Sequence, residues 1–187
     1  ETAAKLAKEA AEKYSTEDWP RFVAGAMGPT TKALSVTGGT TFEKLTSAYE
    51  EQAIGLIQGG VDALLLETSQ DARNVKAAYL GIQKAFEKTN KRVPLIISCT
   101  IEPMGTTLAG QSIDSFYISI EHMSPLAVGL NWATGPEFMR DHLRSLSDIS
   151  KTYVSCYPNA GLPDEEGRYH ESPTSLALKL EGFANEG

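Results

Sequence analysis

The residues whose type and position could carry chemistry stand just after short apolar runs. Glu67 directly follows Leu64-Leu65-Leu66. A carboxylate there can hold a substrate ammonium or take a proton; it can equally cap a following helix or pair with a nearby arginine. Asn131 and Asn159 follow two further runs. Their amides can meet a ligand's carboxylate or amino group, or simply make turns, and for Asn159, before Ala160-Gly161, the turn is favoured. Gly28-Pro29-Thr30 closes another run, and Ser98 and Thr100 add hydroxyls of the kind usually satisfied by backbone. Cys99 and Cys156 would share a metal only if their strand ends converged; such cysteines more often serve as small core hydrophobes. Trp132 is a large aromatic directly after Asn131, placed to plug a cavity mouth, stack on a ligand or cover the core. No lysine follows an apolar run, which argues against Schiff-base chemistry. His122, His142 and His170 fall in helix or loop patterns. Gly38-Gly39 is weak evidence for a phosphate nest.

Those positions matter only if the runs are strands. Arg21 to Met27, Val61 to Leu66, Val93 to Cys99, Leu126 to Leu130 and Thr152 to Cys156 are short, apolar and bounded by turn residues, as buried strands are. Between them lie segments with apolar residues at helical spacing: residues 1–14, from Thr40 or Thr41 to Gly59-Gly60, 71–90, 112–122, 136–149 and 173–185. Ser112, Asp71 and Thr40 or Thr41 are read as caps, and Pro136 stands where a missing N–H costs nothing. Alternation of helices with strands apolar throughout predicts a parallel sheet buried on both faces. About five strands are legible. No GxGxxG follows the first strand, so the dinucleotide fingerprint is absent. A sector of a (β/α)8 barrel and an open flavodoxin-like sheet both remain, and in either the ligand site lies at the carboxyl ends of the strands.

The chain has 187 residues and a formal net charge of −7, a balance that argues against nucleic acid and anionic lipid as partners. No apolar run has the roughly 20 residues a membrane span needs. Two cysteines without CxxC spacing make no disulfide scaffold. A cytoplasmic location is the expectation. The chain opens without Met inside a helical pattern and closes just after another, so the expectation is an internal fragment.

Taken in order, Phe22-Val23-Ala24-Gly25-Ala26-Met27-Gly28-Pro29-Thr30, Gly59-Gly60-Val61-Asp62, Leu66-Glu67-Thr68, Thr107-Leu108-Ala109-Gly110-Gln111, Gly129-Leu130-Asn131 with Ala133-Thr134-Gly135-Pro136, and Tyr157-Pro158-Asn159-Ala160-Gly161-Leu162-Pro163 resemble the homocysteine S-methyltransferase family. The resemblance is strongest to the homocysteine-binding domain of cobalamin-dependent methionine synthase, and it spans the chain. It implies an α/β fold, a (β/α)8 TIM-type barrel with the first and last β/α units missing, and a single incomplete domain over residues 1–187. It implies a zinc ion held by three cysteines that binds homocysteine as a thiolate, and methylcobalamin on another module as methyl donor. By position, Glu67 matches the family's acidic contact to the homocysteine amino group. Asn131 and Asn159 match pocket-lining strand ends, and Gly28, Pro29 and Thr30 match a pocket loop. The sequence also departs from the family. Trp132 occupies the place of the first zinc cysteine, and neither the family's Gly-Gly-Cys-Cys-Gly motif nor its Asp-Gly-Gly loop is in the chain. No metal ligand is therefore carried over, and neither zinc nor cobalamin is expected to bind tightly.

Three readings follow: a methyltransferase domain inactive alone, a non-catalytic binding or regulatory module of the same descent, or a small open-sheet enzyme using Glu67 as a base. An unclosed barrel would expose strand edges, which favours a homo-oligomer that covers them.

Overall fold

The computed structural model describes residues 1–131, 135–161 and 163–186. Five strands, β1 (Ala24–Met27), β2 (Ala63–Ser69), β3 (Leu95–Cys99), β4 (Ala127–Asn131) and β5 (Tyr153–Tyr157), form one sheet in the order β1-β2-β3-β4-β5. Every adjacent pair is parallel. Six helices alternate with them: α1 (Thr2–Tyr14), α2 (Phe42–Gln58), α3 (Ala72–Thr89), α4 (Ile113–Ile120), α5 (Pro136–Ile149) and α6 (Pro173–Glu186). A short 3-10 turn, Glu121–Met123, follows α4.

The helix starts have local causes. The Thr41 hydroxyl accepts from the Lys44 amide, the Asp71 carboxylate from the Arg73 amide and the Ser112 hydroxyl from the Ser115 amide, each satisfying a donor that the first turn leaves unpaired. Pro136 begins α5.

Parallel strands in sequential order, joined by crossovers of one hand, must carry all their helices on one face. In-register residues divide accordingly. Met27, Leu66, Ile97 and Val128 form one row and are all essentially buried against the helices. The opposite row holds Ala26, Leu65, Ile96, Ala127 and Tyr153, where Ala26 is exposed and Tyr153 is 75% exposed. The expectation of two buried faces is thus corrected at the edges: one face is packed on helices throughout, whereas the opposite row is buried at Ala127 in the middle of the sheet, half-buried at Leu65 and Ile96 and open at Ala26 and Tyr153. The same one-sided arrangement, without a reversal of strand order, excludes the doubly wound open sheet. The fold is an all-parallel α/β sheet, an open sector of a (β/α)-type barrel. Among the described residues, the outer edges of β1 and β5 pair with no strand.

The sheet is curled. β2 and β4 approach within 8 Å between Cα atoms, whereas strands two places apart in a flat sheet lie about 9.6 Å apart. Curling brings the carboxyl ends of the strands together over the bare face.

On the covered side α2 lays Leu45, Tyr49, Ala53 and Ile57 inward at four-residue spacing, one stripe of a helix. The α3 helix is buried on two sides, with Val75, Ala78 and Ile82 in one stripe and Ala77 and Gly81 in another. Gly81 is where α2 comes closest: a Cβ there would stand 2.5 Å from the Thr46 carbonyl oxygen and 2.8 Å from the Glu50 nitrogen. At the amino end of the sheet, Asp62 accepts from the Val23 amide at 2.7 Å and from Lys8 Nζ at 3.1 Å, tying α1, β1 and the start of β2 together. Gly59 completes that joint, since a Cβ on it would meet the Ala4 Cβ at 2.5 Å. The Gly59-Gly60-Val61-Asp62 motif is therefore a docking point for α1. Between α5, α6 and β5 a cavity of about 270 Å³ remains, lined by Leu143, Val154, Cys156, Leu180 and Phe183.

Gly81→Ala tests the α2–α3 approach. Alanine favours an isolated helix by about 1 kcal/mol, but the obstructing atoms are backbone and cannot swing away. The clash is expected to prevail, with a net loss of about 1–3 kcal/mol in urea unfolding. A more stable variant would contradict the close approach.

Candidate functional site

The polar residues at the carboxyl end of the sheet meet around a defect in β2. Leu66 pairs with Ile97 and Ser69 with Cys99, so β2 spends three steps where β3 spends two. The extra residue makes a β-bulge, with Glu67 and Thr68 set against Ser98. Glu67 thus lies within β2, which runs three residues past the point where the sequence reading ended it. The bulge also returns Ser69 to the helix side, where it is buried, in time for Asp71 to cap α3.

Thr68 adopts φ 57°. Left-handed backbone costs a residue with a Cβ about 1–2 kcal/mol, and β-branching makes it rarer still. The compensation comes from Asn131 at the end of β4. Its Oδ1 accepts from the Thr68 amide at 3.0 Å and from Ser98 Oγ at 2.5 Å, and its Nδ2 donates to Thr68 Oγ1 at 2.8 Å. Asn131 is 4% exposed and Ser98 fully buried.

Glu67 is half-buried on the bare face. Tyr157, at the end of β5, donates its phenolic hydrogen to Glu67 Oε2 at 3.1 Å. These strands are three places apart, about 14 Å in a flat sheet, so the bond crosses the mouth of the curl. Burial first, and then the Glu67 carboxylate, push the Tyr157 phenol up to about 12 against an opposing pull from the Ser98 hydroxyl. At neutral pH Tyr157 is therefore a donor. The two plainer readings of Glu67 fail here. Asp71 caps α3, and no lysine or arginine among the described residues pairs with Glu67.

The other expected site residues are dispersed. Gly28 follows Met27, the register partner of Leu66, and so begins beside Glu67; its carbonyl accepts from Tyr49 Oη at 3.1 Å. Pro29 and Thr30 turn toward the helix side, where they line a crevice of about 10 Å³ with Tyr49, Ser69, Gln70 and Asn74. The Thr30 hydroxyl donates to the Lys32 carbonyl. Asn159 is half-buried and makes no side-chain hydrogen bond among the described residues. Ser98 is satisfied by a side chain, and the Thr100 hydroxyl is buried with no partner among the described residues. Trp132 lies outside the described residues. Tyr157 was missed as a site residue; its place directly before Pro158-Asn159 was the available signal.

The residues described do not fit a zinc ion. Cys99, Leu130 and Cys156 form one row across β3, β4 and β5, so the two cysteines are two strand spacings apart, about 9.6 Å. Thiolates sharing one zinc sit about 2.3 Å from it. Both thiols also face the helices. Burial pushes Cys99 well above the ordinary thiol range and Cys156 up to about 11. No group of three or more His, Cys, Asp or Glu that could hold a metal occurs among the described residues. No described helix is long and apolar enough to cross a membrane.

A one-sided parallel sheet with its polar cluster at the strand ends is the arrangement of a β/α-barrel ligand site. The comparisons with known proteins agree with the fold. The family model for homocysteine S-methyltransferase matches residues 1–187. The chain belongs to that family. Among solved structures it is similar to the homocysteine methyltransferase MmuM from Escherichia coli. The apo form superposes with a TM-score of 0.75 at 19% identity, covering 98% of this chain and 63% of that one. The metallated form gives 0.73 at 18% identity, with 98% and 59% covered. The oxidized form gives 0.70 at 18%, with 98% and 60% covered. At such identities the likeness establishes the fold, and the chain spans less than two thirds of the length of these relatives.

Tyr49 and Tyr157 make the site's stability pH-dependent. Burial pushes the Tyr49 phenol to about 12 as well. Both stand above their unfolded value, near 10. Their contribution is therefore complete below about pH 10 and is lost as pH rises through about 12. The urea midpoint should hold to about pH 10 and then fall, less steeply in Tyr49→Phe and Tyr157→Phe. Identical alkaline profiles in all three proteins would disprove the assignment.

Proposed function

We propose that residues 1–187 form an incomplete homocysteine-binding domain in which Glu67 receives the ammonium group of homocysteine, serving methyl transfer that gives methionine. The observation that carries this reading is the state of Glu67. It is a half-buried carboxylate at the strand ends, oriented by a neutral phenol, with one oxygen left without a partner among the described residues. A carboxylate so placed is suited to a cation from solution. Asn159 and Gly28 are the neighbouring candidates for the rest of the amino acid, Pro29 and Thr30 having turned to the helix side, and Asn131 stands directly behind the bulge.

The motif order favours, within the family, the homocysteine-binding domain of cobalamin-dependent methionine synthase, with the methyl group arriving on methylcobalamin from another module. Zinc in such a site lowers the pKa of a bound thiol. The described donors do not fit that ion, so our reading for this chain ends at amino-acid recognition, and methyl transfer by the chain alone is not part of it. Trp132 in place of the family's first zinc cysteine supports a second reading, a binding module of the same descent that has no turnover.

Titration calorimetry with homocysteine tests the proposal. Glu67→Gln should weaken binding about tenfold, as expected for loss of a hydrogen bond between charged groups. An unchanged affinity removes Glu67 from the site, and an absence of binding to the unaltered chain overturns the reading altogether. Incubation with methylcobalamin and homocysteine should yield no methionine; its appearance would refute the claim of inactivity. The free edges of β1 and β5 should be covered by a second copy, so sedimentation is expected to give a dimer, and a monomer at high concentration would count against this.

A further inference from the structure

We propose that Asn131 is a positioning residue: its amide holds Thr68 in left-handed backbone, and the bulge so fixed aims Glu67 across the mouth at Tyr157. The functional meaning rests on the reading of Glu67 given above; the mechanical claim does not.

The argument starts from alternation along β2. Leu65 points to the bare face and Leu66 to the helices, so Glu67 falls on the bare face and the next residue would return to the helices. The bulge interrupts that return. Thr68 takes the left-handed conformation at φ 57°, an unfavourable state for threonine that persists only when its surroundings enforce it. Among the described residues the only side chain bonded to it is Asn131, which grips both its amide and its hydroxyl. Those contacts span 63 positions in sequence and two strand spacings in the sheet. Ser98 completes the grip by donating to the same amide oxygen, which fixes the orientation of the Asn131 side chain. Three of its four hydrogen-bonding capacities are thus spent on protein. The side chain is buried, so it acts on a ligand through Glu67. Were Thr68 to relax to extended backbone, the side chain before it would rotate with the strand, and the bond from Tyr157 to Glu67 would be lost.

Glycine separates this role from direct contact, because it adopts the left-handed conformation without strain. The ligand-free readout is the coupling between Glu67 and Tyr157. It is obtained by urea unfolding of Glu67→Ala, Tyr157→Phe and the pair together, in four backgrounds: unaltered, Asn131→Ala, Thr68→Gly and Asn131→Ala with Thr68→Gly. The coupling should be present in the unaltered chain, lost in Asn131→Ala, and regained when Thr68→Gly is added. Homocysteine affinity should follow the same order, falling about tenfold and recovering most of that loss. Persistence of the coupling in Asn131→Ala, or failure of glycine to restore it, overturns the proposal. If Asn131→Ala does not fold, a folded double variant with its coupling intact supports the lock. A double variant that also fails to fold overturns it, since glycine removes the strain that the lock is held to bear. Loss of homocysteine binding in the unaltered chain, with the coupling pattern intact, would refute the ligand assignment and leave the lock standing.

Discussion

Right-handed crossovers between parallel strands constrain everything else in this molecule. Five strands laid down in chain order, each reached by a crossover of the same hand, have no choice but to place their helices on one side. The sheet then curls away from that layer. The curl brings β2 within reach of β4 and lets a tyrosine on β5 bond a glutamate on β2. The site is a consequence of that geometry, since its residues come from four strands and are up to 90 positions apart.

Within that frame the packed face and the bare face do different work. Met27, Leu66, Ile97, Val128 and Leu130 are fully or almost fully buried against helices, each contributing about 1.5–3 kcal/mol through removal from water. They make the strands rigid. The other face carries Ala26, Leu65, Ile96, Ala127 and Tyr153, and its polar groups gather toward the carboxyl ends of the strands. Strain is concentrated there too: Thr68 is one of only three non-glycine residues with positive φ among the described residues, and it directly follows Glu67. A bulge beside a strand-end side chain is a common way for a sheet to re-aim it, and the Asn131 amide supplies the hydrogen bonds that make the bulge tolerable.

The homocysteine S-methyltransferase family model matches the whole chain, and the fold is shared with solved homocysteine methyltransferase structures at 18–19% identity. Within this chain the alternation of apolar runs, the helix caps and the small residues at close helix approaches build the barrel sector. Metal donors are a separate matter, since they must converge within a few ångströms. Cys99 and Cys156 occupy core positions facing the helices instead.

The amino-acid sequence by itself determined the elements and their alternation. The apolar runs ending at Met27, Cys99 and Leu130, the caps at Asp71 and Ser112, and Pro136 at the head of α5 are local signals, carried by side chains within one or two turns of each other. The place of Glu67 near the carboxyl end of a strand was equally legible, because it follows three leucines, although β2 runs on to Ser69. Tertiary structure decided the rest. Which face of the strands is covered depends on the hand of the crossovers, which no local pattern states. The bulge depends on a register between β2 and β3, and its lock on an asparagine two strands away. Asn131 read as a ligand contact because its type and position allow it; only the curl of the sheet turns its amide inward, onto Thr68. Tyr157, just past the apolar run that ends at Cys156, drew no role for the same reason: its partner is 90 residues distant, and hydrogen bonds of that kind exist only once the chain has folded.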